Sequence, residues 1–267
     1  VAALAAPVND ARAQDALGNT TTFAGNVTMT ITGGTGTAGA LLSGGASVIV
    51  GAVNGVATFT GLNIDKAGNN YTLTASINAG AITRASGLFN ITHGPAAQLV
   101  FTQQPTTATA GANIAPFVIV TVQDAAANTV LSFTGPVTVQ ITGGTGTANA
   151  HLSGGASVQV PNANQGVATF SGAQALSIDS AGTNYTLTAN INAGAITKGS
   201  APFTITPGAA THLVFTVQPS PTLLGAIITP SVKVQVRDAL ENTVTGYAAN
   251  VVIAKEPGSP AGTLNGT

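Results

Sequence analysis

The sequence predicts an all-β protein made of tandem copies of one two-sheet sandwich unit. Three observations predict it. Long blocks recur at an offset of 110 residues early in the unit (Ile31 to Ile141) and 114 late (Tyr71 to Tyr185). Apolar residues alternate with polar ones at a period of two, as in a strand with one buried face. Gly and Asn pairs that favour tight turns punctuate the chain at short intervals. No segment carries a convincing 3.6-residue stripe.

The repeats organise everything else. Ile31-Thr-Gly-Gly-Thr-Gly-Thr-Ala38 recurs as Ile141 to Ala148, and Leu42-Ser-Gly-Gly-Ala-Ser-Val48 as Leu152 to Val158. Gly55-Val-Ala-Thr-Phe59 returns at Gly166 to Phe170, Tyr71-Thr-Leu-Thr-Ala75 at Tyr185 to Ala189, and Leu99-Val-Phe-Thr102 at Leu213 to Thr216. A third copy follows, with Pro230 and Asp238-Ala-Leu-Glu-Asn242-Thr matching Pro116 and Asp124-Ala-Ala-Ala-Asn128-Thr. Pro7 and Asp15-Ala-Leu-Gly-Asn19-Thr place the same landmarks in the first copy. The units are therefore expected at 1–96 (lacking its first strand), 97–208 (complete) and 209–267 (first half only). The start, Val1-Ala2-Ala3-Leu4-Ala5-Ala6-Pro7, has no initiating Met and no basic segment, as in an interior piece of a longer chain or a processed form.

Along the chain, Asn9-Asp10-Ala11-Arg12-Ala13 replaces the alternating Val of the other copies, so the first strand is expected to be poorly buried or shifted in register. Thr28, Thr30 and Thr32 read as the outward face of the next strand. In the second copy Val118, Val120 and Val122 alternate with Ile119, Thr121 and Gln123, and Val137, Val139 and Ile141 with Thr138, Gln140 and Thr142. In the third, Val232, Val234 and Val236 alternate with Lys233, Gln235 and Arg237. Turns fall at Gly33-Gly34, Gly44-Gly45, Asn54-Gly55, Gly154-Gly155 and Asn265-Gly266. About seven short strands per unit fits a sandwich of two sheets.

Composition removes several kinds of function. Of 267 residues only 6% are charged, seven Lys+Arg against eight Asp+Glu, while 44% are hydrophobic. Seven scattered cations cannot track a phosphate backbone, which argues against nucleic acid as a partner. No apolar run reaches the roughly 18 residues of a membrane helix, so no membrane insertion is expected in this segment. The absence of Cys excludes a disulfide scaffold and thiol chemistry.

The blocks Leu99-Val-Phe-Thr-Gln-Gln-Pro105, Val122-Gln-Asp-Ala-x-x-Asn128 and Ile178-Asp-Ser-Ala-Gly-Thr-Asn-Tyr-Thr-Leu-Thr-Ala189 resemble the tandem immunoglobulin-like repeats of large bacterial surface proteins. The resemblance extends over essentially the whole chain. It implies immunoglobulin-like sandwiches arranged as a rod, of the kind that form stalks of adhesins and other exported giants.

Each candidate for chemistry has a structural reading beside it. Asp65 with Tyr71, and Asp179 with Tyr185, invite a calcium or catalytic reading, but one carboxylate per site is too few for an ion that takes six to eight oxygens. They read instead as tyrosine corners, in which the hydroxyl bonds upstream backbone and the Asp organises the turn. Asp15 and Asn19, Asp124 and Asn128, and Asp238 and Asn242 read as hairpin-loop pairs bonding backbone amides, against the alternative of an ion site. His93, His151 and His212 occupy no shared position and read as solvent-exposed. No Gly-x-Ser-x-Gly elbow occurs, and the Gly-Gly-Thr-Gly-Thr loops lack the Lys and helix of a phosphate cradle, so they read as tight turns. Sequons stand at Asn19, Asn26, Asn70, Asn90, Asn184 and Asn265; only Asn70 and Asn184 coincide between copies, and abundant Thr produces such hits.

These readings make the chain a non-enzyme with no cofactor and no metal. The expected function is an extracellular, cell-surface stalk whose short joints, Phe89 to Leu99 and Phe203 to Leu213, restrict swing. Its partners would be neighbouring repeats of the same or identical chains, and cell-surface or matrix glycans. Two alternatives stand beside it. A filament or sheath subunit is favoured by sheet edges with little charge to guard them. A carbohydrate-binding module is disfavoured by the absence of Trp.

Overall fold

A computed structural model describes residues 10–153, 155–259 and 261–264. Pro7, Asn9, Gly154 and Asn265, on which parts of the sequence reading fall, lie outside them. In the first copy eight short strands follow the alternating stretches: β1 (Asp10–Arg12), β2 (Asn26–Ile31), β3 (Ser47–Gly51), β4 (Val56–Thr58), β5 (Gly68–Tyr71), β6 (Leu73–Ile77), β7 (Ile82–Ala85) and β8 (Phe89–Ile91). They form a four-stranded sheet β3-β2-β6-β7 and the pairs β1-β4 and β5-β8.

The second copy has ten strands: β9 (Gln98–Gln103), β10 (Ala108–Thr109), β11 (Ile119–Gln123), β12 (Val137–Ile141), β13 (Ser157–Val160), β14 (Val167–Thr169), β15 (Gly182–Tyr185), β16 (Leu187–Ile191), β17 (Ile196–Gly199) and β18 (Phe203–Thr206). The sheet β13-β12-β16-β17 reproduces that of the first copy, and β14-β11-β9 and β10-β18-β15 complete the unit. All pairings are antiparallel except β10 with β18. The count exceeds the expected seven because ribbons change sheet partway. Gly182 to Ile191 pairs with β18 before Thr186 and with β12 and β17 after it. Strands that switch sheets in this way make the corners of a sandwich.

The alternation sets the faces. In β12 Val137 and Val139 are buried while Thr138 and Gln140 are not. The second copy's core runs from Leu99 to Ile205 and is centred on Val120, Phe170, Tyr185 and Leu187, so this copy supplies every fully buried residue of its own core. A separate cluster around Val27, Phe59, Ile64 and Tyr71 fills the first copy.

β1 pairs with β4 in the register that β11 makes with β14, Ala11 opposite Ala57 as Val120 is opposite Ala168. Register is thus unchanged and burial is what differs: Ala11 is half-buried where Val120 is fully buried, and among the described residues β1 pairs only with β4 whereas β11 also pairs with β9. The third copy contributes β19 (His212–Val217) paired with β20 (Lys233–Arg237). Leu213 is 52% exposed there, against 1% for the equivalent Leu99, since the described part of this copy has no second layer to cover it.

Candidate functional site

Of the residues singled out in the sequence, Asp65, Tyr71, Asp124, Asn128, Asp179, Tyr185, Asp238 and Asn242 converge on two joints between copies, while Asp15 and Asn19 bond only within their own loop among the described residues. Each joint begins with a turn that ends in a buried tyrosine. The Tyr71 hydroxyl donates to the Lys66 carbonyl at 2.9 Å, and Tyr185 to Ser180 at 2.8 Å. The Asp side chains secure the other side: Asp65 Oδ1 accepts the Leu41 N–H at 2.7 Å, and Asp179 Oδ1 that of His151 at 2.8 Å. Thr37 Oγ1 donates to the Ala67 carbonyl and Thr147 Oγ1 to Ala181, both at 2.6 Å.

The Gly-Gly-Thr-Gly-Thr loops therefore do more than turn. Their threonines clamp the corner, and their last glycines, Gly36 and Gly146, lie under the tyrosine rings. A Cβ at Gly146 would sit 2.1 Å from the Tyr185 ring, and Gly146 has a φ of +66°. Only glycine meets both requirements.

The hairpin loops form the other half of the joint. Asp124 Oδ1 accepts the N–H groups of Ala126 and Asn128, each at 2.9 Å. Asp238 does the same with Leu240 and Asn242, and Asp15 with Leu17 and Asn19. This local bonding matches the turn chemistry of Asp. What the sequence reading missed is the second use of the Asp124 and Asp238 carboxylates. Asp124 Oδ2 accepts the Gly94 N–H from the preceding linker at 2.8 Å, and Asp238 Oδ2 that of Gly208 at 2.7 Å.

Asn128 then bridges the two copies. Its Nδ2 donates to the Asp65 carbonyl at 3.1 Å, and its Oδ1 accepts the Ala67 N–H at 2.9 Å. Asn242 repeats this pair on the Asp179 carbonyl (2.9 Å) and the Ala181 N–H (2.7 Å). A primary amide that donates and accepts at once fixes both position and direction, which a single contact would not. With Lys66 O taken by Tyr71 and Ala67 O by Thr37, the backbone groups of the corner are shared between its own copy and the next.

The two joints differ at their margins. In the first, His93 bonds the Gly94 carbonyl through Nδ1 (2.8 Å), and its Nε2 lies 3.3 Å from the Ser132 N–H. His93 is half-buried, which corrects its reading as solvent-exposed, whereas the side chains of His151 and His212 are 58% and 37% exposed. In the second joint Leu240 packs against Gly111, its Cδ1 2.8 Å from where a Cβ would stand. Beside it Glu241 pairs with Arg237 (2.8 Å) and His212 (3.1 Å). His151 pairs with Asp179 at 2.9 Å on the second corner.

Burial raises the Asp124 carboxyl's affinity for protons, but the N–H groups of Gly94, Asn128 and Ala126 together more than offset this and hold it below the ordinary carboxylate value. Asp238 is lowered against burial in the same way by Gly208, Asn242 and Leu240. A carboxyl depressed in the folded state stabilises it above the unfolded value and stops doing so as pH falls through the folded one. Stability of the second copy is therefore expected to be flat above about pH 5 and to fall below about pH 4. Urea midpoints across that range check it, and Asp124→Asn should flatten the acid limb.

Among the described residues no group of three or more His, Asp or Glu is placed to hold a metal, and no helix is long and apolar enough to cross a membrane. Thr28 and Thr30 stand on the outer face of β2, with Phe23, Asn26, Ile49 and Ser76 lining an open groove there. Thr32 and Thr74 share a 2.7 Å hydroxyl bond, repeated by Thr142 and Thr188 at 2.8 Å. No protein-family model matches the chain and no curated protein matches it.

Proposed function

We propose that this chain is a length of extracellular, cell-surface stalk: immunoglobulin-like repeats, bounded at 1–96, 97–208 and 209–267, joined stiffly enough to act as a spacer. The observation that carries the reading is the duplicated joint. Asn128 and Asn242 make the same two bonds to the preceding corner, and Asp124 and Asp238 the same bond to the linker, although the margins of the two joints differ. A joint repeated in kind transmits one orientation from copy to copy, and a chain of such joints is a semi-rigid rod in which each unit touches only its neighbours. The immunoglobulin-like assignment is supported by the strand order, by the tyrosine hydroxyls on upstream backbone, and by the parallel pairing of β10 with β18. Adhesion or display at the far end would then belong to whatever the rod carries.

Electron microscopy of the producing cells, with antibody against the second repeat, tests the function. Label along thin fibres outside the cell is the expected result, and label confined to the cell interior would overturn it. A second reading, a filament or sheath subunit, is favoured by the outer strands β3 and β7, which carry one charged residue between them, Arg84. Ordered polymers with a fixed helical rise in the same images would select it.

Asn128→Ala is expected to cost the protein only about 1 kcal/mol, the scale of ordinary hydrogen bonds, since no core residue is touched. Calorimetry would show both repeats still melting cooperatively. The joint, in contrast, should lose its fixed orientation.

A further inference from the structure

The loop that holds both joints occurs a third time, in the first copy, where no corner lies against it among the described residues. It is already formed. Asp15 Oδ1 accepts the N–H groups of Leu17 and Asn19, Asn19 Nδ2 bonds Asp15 Oδ2 at 3.1 Å, and the Asp15 N–H donates to the Asn19 carbonyl at 2.9 Å. Asp124 and Asn128 make the same set of bonds. Asn19 Oδ1, whose counterparts accept Ala67 and Ala181 N–H, has no protein partner among the described residues. Leu17 aligns with Leu240, which packs on Gly111 in the second joint; Leu17 is 88% exposed against 46% for Leu240.

We propose that Asp15 to Asn19 is a docking surface for the tyrosine corner of a further repeat of this kind, in the head-to-tail order of the two joints. Asn19 Nδ2 takes the carbonyl of the corner's Asp position, and Oδ1 takes the N–H two residues later. Leu17 seats against the turn that corresponds to Gly111. The occupant is identified by continuity with an interface present twice in the same chain: a loop with the same bonds already receives the Asp65 corner and the Asp179 corner. It is further identified by chemistry, since the primary amide must meet one backbone acceptor and one backbone donor in fixed order. The proposal rests on the joint reading above, but its test is separate, because an idle loop at Asn19 would leave the two existing joints intact.

The test is a nuclear magnetic resonance titration of the labelled full chain with unlabelled residues 97–208. That fragment holds its whole buried core and leaves the Asp179 corner free. Without a covalent tether the contact loses the effective concentration that the linker supplies, so the docking is expected to be weak. Shifts should concentrate at the amides of residues 15–19, and Asn19→Ala in the labelled chain should weaken binding about fivefold. Unlabelled full chain, whose Asp65 and Asp179 corners are both occupied, should produce no such shifts. No shift at residues 15–19, an equal response in Asn19→Ala, or an equal response to the full chain would each overturn the proposal.

Discussion

Asp124→Ala is expected to destabilise the second repeat by about 4 kcal/mol, because it strands several donors at once. The carboxylate accepts N–H groups from Gly94, Ala126 and Asn128 and the Asn128 amide, and its residue is 4% exposed. An alanine methyl accepts none of them, and little water reaches the site to replace it. Asp124→Asn keeps one acceptor oxygen and should cost about half as much. Asp15→Ala removes the same residue type from an exposed loop, where water satisfies the freed amides, and should have a much smaller effect. Urea unfolding of the three variants separates these cases. Similar losses for Asp124→Ala and Asp15→Ala would show that the linker bond to Gly94 contributes nothing.

Gly146→Ala is the second large effect, at about 3 kcal/mol. Holding a residue with a Cβ at a φ of +66° costs on the order of 1 kcal/mol. Pressing that Cβ into the Tyr185 ring, which is fully buried and cannot move aside, adds an overpacking term of about 2 kcal/mol. The melting temperature of the second repeat should fall by roughly 10–20 °C. Gly144→Ala is the control, since Gly144 has a φ of +78° but no atom within 4 Å of its Cβ position. It should show the backbone part alone. Equal losses at the two glycines would mean that the Tyr185 contact is unimportant.

The strands were the legible part of this protein. Val137 and Val139 against Thr138 and Gln140 name their own faces, because strand periodicity is local and one buried face suffices to produce it. The local bonds of Asp124 and Asp238 were legible for the same reason: an Asp two to four residues before its amide donors is a sequence-near arrangement. The joint was not. Asn128 and Asp65 are 63 residues apart, and nothing in either motif states that the spare amide of one meets the spare carbonyl of the other. A usable signal was present, however. Asn at the fifth position of the loop recurs in all three copies, whereas the two residues before it vary between Ala, Leu, Gly and Glu. The amide nitrogen bonds the Asp carboxylate inside the loop in every copy, so the signal of a partner outside it lies in the amide oxygen, which the loop itself leaves unused.

The glycine under Tyr185 was hidden for a different reason. Gly143, Gly144 and Gly146 look alike in sequence, and only Gly146 faces a ring. Similarly, His93 has Pro207 at its position in the next copy, so no repeated pattern signals its half-burial against Gly94 and Ser132. Residues that differ between copies mark the margins of the joint, and those that do not differ mark its centre.

Residual dipolar couplings from the backbone amides of the first and second repeats test the stiffness of the joint most directly. If Asn128 locks the corner at Asp65 and Ala67, one alignment tensor fits both repeats in the full chain. In Asn128→Ala the fit should split into two tensors of unequal magnitude while each repeat stays folded. Two independent tensors in the unaltered chain would contradict the account, as would a single tensor that survives loss of the Asn128 amide.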